Sequence, residues 1–203
     1  VERTTLANGI PVALARRRVV PTVLVSLNFD AGTSADLPDT PGTQALMLGL
    51  LDEGTAELDA TQIAEAQERL GARISTGPGL DSSAVTLSAL SANLSPSLAL
   101  LADVVRRPAF RDGDVARVRG QQLAAIAQAE ASPRGLALRK LAPLLFGPAH
   151  PYGLPGDGQG ESASVAALDA AALRKAHSRW LRPDSLRITV VGDRESDIYE
   201  EFA

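Results

Sequence analysis

One stretch of the chain decides the fold. It runs Gly42-Thr43-Gln44-Ala45-Leu46-Met47-Leu48-Gly49-Leu50-Leu51-Asp52-Glu53-Gly54-Thr55. Its apolar side chains would lie on nearly every side of a helix, which is typical of a helix buried inside a protein. Pro38 and Pro41 precede the apolar run and Gly54 follows it, so we predict a helix over about 41–52.

Further landmarks lie on both sides of this helix, in the order that follows along the chain. They are Asn8-Gly9-Ile10-Pro11-Val12, Ala31-Gly32-Thr33-Ser34, Leu70-Gly71-Ala72-Arg73, Arg107-Pro108-Ala109-Phe110, His150-Pro151-Tyr152-Gly153 and Val190-Val191-Gly192-Asp193. Together with the helix they resemble the pitrilysin/insulinase family, the inverted-zincin metallopeptidases that include processing-peptidase-like proteins. The resemblance covers nearly the whole chain, which makes it more specific than one short motif.

The resemblance also shows what this chain lacks. The family's helix reads H-x-x-E-H, in which two His bind zinc and the Glu activates a water molecule. The matching positions here are Ala45, Leu48 and Gly49. A third ligand, a Glu on a later helix, matches Ala125 within Leu123-Ala124-Ala125-Ile126. None of these four side chains can bind a metal or accept a proton, so the resemblance implies a non-catalytic domain with no catalytic residue, no metal ligand and no cofactor.

The four positions are therefore vestigial in this interpretation. Replacing imidazole and carboxylate groups by Ala, Leu and Gly removes polar groups that need partners inside a protein. We accordingly expect the place of the missing side chains to be filled by apolar atoms and to be dry.

Composition excludes several classes of protein. The chain has 203 residues, 45% of them hydrophobic and 22% charged, as in an ordinary globular domain. A net charge of −4 argues against a nucleic-acid surface as the main role. The absence of cysteine excludes disulfides and thiolate metal sites and is compatible with either the bacterial periplasm or the cytoplasm. No apolar run approaches the roughly 20 residues that span a bilayer.

The hydrophobic pattern predicts alternating groups of strands and helices. We expect strands over 10–16, 22–30, 72–77, 82–91 and 185–191, and helices over 41–52, 59–70, 94–106, 112–130, 134–146 and 169–181. This order suggests an α+β fold, which agrees with the resemblance: a metallopeptidase-like domain with one mainly antiparallel sheet covered by helices on one face. We expect one domain over 1–193, and a helix or linker over 194–203 leading toward a missing second domain.

Other residues that could carry chemistry have simpler interpretations. His150 and His177 are the only histidines, and we expect loop packing for the first and a surface or half-buried helix position for the second. The loop Gly153–Gly160 lacks the Lys and Ser/Thr of a phosphate-binding loop and is expected to be a flexible connector. Ser162 and Ser164 are expected to cap a helix, and the neighbours Asp52 and Glu53 to be exposed charges at a helix end.

Two functions follow from the resemblance. In the first, the chain forms part of a peptide-enclosing chamber, opposite an active H-x-x-E-H half or subunit that holds the zinc. In the second, it is a structural scaffold subunit, like the core subunits of the respiratory cytochrome complex, with no role in proteolysis. The sequence alone does not separate these two functions.

Overall fold

A computed structural model describes residues 1–17, 19–147 and 149–192 of the chain. The strands within these residues are β1 Glu2–Thr5, β2 Pro11–Arg16, β3 Thr22–Phe29, β4 Arg73–Pro78, β5 Ser83–Leu90 and β6 Leu186–Gly192. The α-helices are α1 Thr43–Leu48, α2 Ala60–Leu70, α3 Leu94–Arg106, α4 Asp112–Ala131, α5 Pro133–Phe146, α6 Ser162–Ala167 and α7 Ala170–Trp180. The helix or linker expected over 194–203 lies outside the described residues.

The strands form one sheet in the order β1-β2-β6-β3-β5-β4. Neighbouring strands run antiparallel except β2 and β6, which are parallel. The strand that comes last along the described chain therefore lies inside the sheet, between β2 and β3. This arrangement confirms the predicted α+β fold with one mainly antiparallel sheet.

Alternation along the strands directs one face of the sheet into the core. On β3, the side chains of Val23, Val25 and Leu27 are fully buried, whereas Leu24 between them is 43% exposed. The buried face packs with the helices into one hydrophobic core. Because burial of each such aliphatic side chain contributes about 1.5–3 kcal/mol, this face fixes the register of the strands.

The signals at the ends of α2 are confirmed by the structure. Asp59 and Gln62 form a capping box, in which each side chain accepts a hydrogen bond of 2.9 Å from the other residue's backbone N–H. Gly71 follows the helix in the left-handed conformation, with φ of 61°, which glycine adopts without steric cost.

The helix expected over 41–52 is shorter than predicted. Its α-helical part ends at Leu48, and Leu51–Glu53 form a separate 3-10 turn. The chain departs from α geometry at Leu50, whose φ of −105° and ψ of −6° lie outside the helical pattern. The strand expected over 72–77 is confirmed as β4, which extends one residue further to Pro78, and Gly79 closes the hairpin turn by donating its N–H to the Ser82 carbonyl.

Across the described ranges, no helix has the length and apolar character needed to cross a bilayer.

Candidate functional site

The four positions that the resemblance marks as vestigial come together in the folded chain. Ala45, Leu48 and Gly49 on α1 and Ala125 on α4 line one open cleft of about 310 Å³. The remaining walls are formed by the end of β4, by α4 and by the loop before α6: Thr76, Gly77, Pro78, Val118, Gln121, Gln122 and Gln159. Positions assigned separately, from two distant motifs, thus share one site.

The expectation that this place would be filled was wrong. Ala45 and Gly49 are half-buried and Ala125 is exposed, whereas Leu48 is fully buried. Methyl groups and a glycine hydrogen occupy much less volume than imidazole or carboxylate groups. No neighbouring side chain has moved in to replace them, so the cleft stays open to solvent.

The chemistry of the cleft does not suit a zinc ion. Among the described residues, no ionisable side chain lines it, and zinc in proteins is bound by Cys, His, Asp or Glu. The Gln122 amide nitrogen donates hydrogen bonds to the Gly42 and Gln159 carbonyls, at 3.1 and 2.8 Å, and the Thr76 hydroxyl donates to the Leu48 carbonyl at 2.9 Å. Nowhere in the described ranges do three or more His, Cys, Asp or Glu cluster in a way that could hold a metal.

A buried carboxylate that the sequence reasoning missed positions the start of α1. Asp36, only 7% exposed, accepts hydrogen bonds from the N–H groups of Gly42 at 2.7 Å and Gln44 at 3.0 Å. These are orphan donors of the first helical turn, which need a partner when the helix end is buried. Burial raises the pKa of Asp36 from 3.8 to about 6, although the backbone hydrogen bonds act in the opposite direction.

This pKa predicts how stability depends on pH. Between pH 3.8 and about 6, Asp36 is protonated in the folded chain and ionised in the unfolded chain. The proton therefore adds to the free energy of unfolding. This contribution is complete below pH 3.8 and is lost as the pH rises through about 6. When the pH is lowered from 7 to 5, the free energy of unfolding of the natural chain should rise by about 1 kcal/mol relative to that of an Asp36→Asn variant, which has no carboxyl group at this position. Urea unfolding of both proteins at pH 5, 6 and 7 measures this difference. Parallel pH profiles would contradict the assignment.

A second buried charge holds the loop beside the cleft. Arg139 on α5 is 3% exposed and donates to both carboxylate oxygens of Asp157, at 2.9 and 2.7 Å, and to the Gly160 carbonyl at 2.7 Å. Both bonds to Asp157 come from Nη1, and hydrogen bonds between two charged groups are among the stronger ones in proteins. The loop Gly153–Gly160 is a connector, as expected, and Arg139 ties it to α5; its flexibility stays a prediction.

The two histidines lie in separate surroundings, and neither lines the cleft. His150 Nδ1 accepts a hydrogen bond from the Tyr152 N–H at 3.0 Å, and its ring stacks on Phe146. His177 Nε2 lies 2.7 Å from the Val105 carbonyl oxygen, and burial lowers the pKa of His177. Loop packing for His150 and a half-buried helix position for His177 are thus confirmed.

Two smaller expectations were wrong. Asp52 and Glu53, which belong to the 3-10 turn, are half-buried rather than exposed, and Glu53 forms an ion pair with Arg117. Burial accordingly raises the pKa of Asp52. Ser162 and Ser164 lie within α6 and do not cap it; the Ser164 hydroxyl instead donates to the Pro41 carbonyl at 2.7 Å, which ties α6 to the start of α1.

Comparison with known proteins agrees with this geometry. Residues 11–146 match the model of the family described as insulinase, peptidase family M16. The crystal structure of a peptidase M16 inactive domain from Pseudomonas fluorescens superposes with a TM-score of 0.93 at 32% identity, covering 100% of this chain and 49% of that one. An uncharacterized zinc protease from Mycobacterium tuberculosis is 26% identical over 195 residues, which are 96% of this chain and 44% of that protein.

A further solved structure shares the fold. The first half of the periplasmic protease PqqL from Escherichia coli has a TM-score of 0.84 at 19% identity, covering 99% of this chain and 45% of that one. The chain thus spans less than half the length of each of these three proteins.

Proposed function

This chain belongs to the insulinase family of peptidases, M16. We propose that it is a non-catalytic domain of a peptidase of that family. In this proposal it forms part of the wall of a peptide-enclosing chamber, opposite an active half that carries H-x-x-E-H and holds the zinc. The chain itself contributes no metal ligand and no catalytic group. Peptide is bound in the chamber shared by the two halves.

One observation carries the proposal. The four positions at which the family's motifs place two His, the base and the third ligand meet in one cleft, and Ala45, Leu48, Gly49 and Ala125 occupy them. Their common location supports a domain that keeps the arrangement of the family's site without its chemistry. The match to a structure described as an inactive domain supports the same conclusion.

The walls of the cleft also suit contact with a peptide. β4 is an edge strand of the sheet, and its last residues Thr76, Gly77 and Pro78 line the cleft. An exposed strand edge can pair with an extended peptide through main-chain hydrogen bonds. Because the described residues that line the cleft are all non-ionisable, such contacts would hold a peptide without selecting for its charge.

The test is reconstitution with an active H-x-x-E-H half from the same source. Peptide binding by the non-catalytic domain aids catalysis only if it positions the scissile bond at the zinc of the active half. We therefore expect no peptidase activity from this chain alone. Activity of the active half on a mixed library of quenched fluorescent peptides should rise at least about ten-fold when this chain is added. Equal activity with and without the chain would reject the chamber proposal and favour the scaffold alternative.

A matched pair of variants locates the effect within the chain. Ala125→Trp would block the cleft and should raise the KM of the assembly, whereas Ala124→Trp, at the neighbouring exposed position of α4, should leave it unchanged. Adjacent helical residues point about 100° apart, so the second variant adds the same side chain outside the cleft. If both variants behave like the natural chain, the cleft does not contact the peptide.

A further inference from the structure

A second pocket lies next to the cleft, at the turn that joins β4 to β5. Its volume is about 490 Å³, which is within the range of sites that hold ligands. Its walls come from this turn, from Thr33, from α5 and from the loop before α6. Its apolar lining residues include Leu80, Ala142, Phe146, Pro151, Leu154 and Pro155. We call this cavity the apolar pocket.

The apolar pocket and the cleft are neighbours at the end of β4. Pro78, the last residue of that strand, lines both of them. On the opposite side, consecutive residues of one loop line the two cavities: Gly158 lines the apolar pocket and Gln159 lines the cleft. An extended chain that lies in the cleft and continues past Pro78 therefore enters the apolar pocket.

The accessible part of the β4 edge lies beside this junction. At the start of the strand, the Ile74 N–H faces away from β5, because it donates to the side-chain oxygen of Gln67 on α2 at 2.6 Å. Along an antiparallel strand, residues alternate between pairing with the neighbouring strand and facing away from it. The backbone groups of Thr76 therefore face away from β5 as well. Gln67 covers the beginning of the edge, which leaves the backbone of Thr76 to an extended peptide.

Hydrogen bonds hold the walls of the apolar pocket together. The N–H groups of Thr33 and Ser34 donate to two carbonyl groups of the β4–β5 turn, each at 2.9 Å. The Tyr152 hydroxyl donates to Asp81 at 2.8 Å, which ties the loop before α6 to the same turn. A pocket with fixed walls loses little conformational freedom when a ligand enters, and this favours affinity.

The chemistry of the apolar pocket suits an uncharged side chain. Asp157 is the charged residue among the described residues that line it, and Arg139 already holds both of its carboxylate oxygens. An anion would face Asp157, a cation would compete with Arg139, and either would lose water to apolar walls. Phe146, 50% exposed, offers an aromatic ring for packing. A large apolar side chain gains most from burial in such a place.

We propose that the apolar pocket is a specificity site, which takes one large apolar side chain of a peptide whose main chain pairs with Thr76 at the β4 edge. The proposal rests on the proposed function for the identity of the ligand, a peptide in the chamber. It adds a substrate class that the cleft does not define. Peptides with an aromatic or large aliphatic residue are preferred over peptides that contain only small, polar or charged residues.

Fluorescence anisotropy of labelled peptides tests binding to the 203-residue chain alone. The probes are fluorescein-labelled decapeptides of alternating Thr and Ser with one central Phe, Ala, Glu or Lys. The Phe decapeptide should bind at least about ten-fold more tightly than the other three. N-acetylphenylalanine amide has the same side chain but no extended main chain. It should therefore compete at least about ten-fold more weakly than the unlabelled Phe decapeptide.

A matched pair of variants locates the binding site. Ala142→Phe fills the apolar pocket and should remove the preference for the Phe decapeptide over the Ala decapeptide. Ala137→Phe adds the same side chain at an exposed position of α5 that does not line the pocket, so it should leave that preference unchanged. Circular dichroism establishes that each variant is folded.

A second pair keeps the test decisive if Ala142→Phe does not fold. Leu80, 51% exposed, lies at the mouth of the apolar pocket, and Leu80→Asp should weaken binding of the Phe decapeptide at least about five-fold. Leu37→Asp is the control, because that leucine is 40% exposed and does not line the pocket. It should leave the affinity unchanged.

The results separate this proposal from the proposed function. Equal binding of the four decapeptides, equal competition by the single residue, or a preference for Phe that survives both pocket variants would overturn the apolar pocket as a specificity site. The chamber proposal would stand in each case if the chain still raises the activity of the active half. If the chain binds the Phe decapeptide through the apolar pocket but does not raise that activity, the specificity site is supported and the chamber proposal fails.

Discussion

A variant carrying Ala45→His, Gly49→His and Ala125→Glu should bind one zinc ion per chain. The three positions line the same cleft, and the first two are four residues apart, on one face of α1. Gly49 has a φ of −66°, which other residues readily adopt, and a Cβ added there would lie 3.2 Å from the Ala45 carbonyl oxygen and 3.7 Å from Val118, so a side chain requires only a small shift of the Ala45 carbonyl. Two imidazoles and a carboxylate form a three-residue zinc site with one open position.

Leu48 is left unchanged in this variant, because it is fully buried and Leu48→Glu would put a carboxylate into the core. We expect a dissociation constant on the order of 1 μM or tighter. The natural chain should hold well under one zinc per chain. Metal analysis of the two proteins, each purified without an affinity-tag metal, measures how many zinc ions each chain holds. As a second readout, excess zinc at 100 times the dissociation constant should stabilise the variant against urea by about 2.7 kcal/mol.

The matched control carries the same two His with Ala124→Glu in place of Ala125→Glu. Ala124 is exposed on the same helix but does not line the cleft. This variant should bind zinc at least about ten-fold more weakly, since it lacks the third ligand. If both variants bind equally, or if neither binds while folded, Ala125 does not occupy the third-ligand position that the resemblance assigns to it.

Replacing Arg139 by Met should cause the largest loss of stability that we expect from a single substitution. Met has a similar length, but it leaves Asp157 and the Gly160 carbonyl without their donor. Removing one partner of a fully buried ion pair costs about 3–5 kcal/mol. Because the Asp157 side chain is 28% exposed, we expect a smaller loss, about 2–4 kcal/mol in the free energy of unfolding. Urea unfolding measures this loss.

An exposed ion pair is the control for this substitution. Arg182 also makes a paired contact with a carboxylate, Asp184, but both side chains are more than half exposed. Arg182→Met should therefore cost less than about 1 kcal/mol. The double variant Arg139→Met with Asp157→Leu should recover part of the loss, because it also removes the unpaired carboxylate. A loss for Arg139→Met no larger than that for Arg182→Met would show that the loop does not depend on the buried pair.

Local signals in the sequence predicted much of the fold. The helix α2 was predictable because Asp59, Gln62 and Gly71 satisfy its ends through nearby residues. The strands β3 and β5 were predictable because one face of each is buried and alternation reveals it. Two elements were missed: β1 exposes every residue, and α6 has only six residues, so neither shows a periodic pattern.

The site was predictable only in part, for a related reason. The resemblance identified Ala45, Leu48, Gly49 and Ala125, because motifs mark positions even where the chemistry is lost. It did not reveal that the cleft stays open, since volume depends on contacts between distant segments. The roles of Asp36 and Arg139 were likewise hidden, because their partners become neighbours only after folding and a charged residue in the sequence usually indicates an exposed one.

The position of β6 within the sheet has a consequence for synthesis of the chain on the ribosome. β4 pairs with β5 through a short turn, whereas β2 and β3 are separated in the sheet by β6, which comes later along the chain than the other described strands. The gap between them stays open, with edges available for wrong pairing, until Leu186–Gly192 has left the exit tunnel. Such distant pairings are slow to form. A nascent chain that stops before Leu186 should therefore be a target for chaperones and proteases, because the sheet is continuous only once β6 is available.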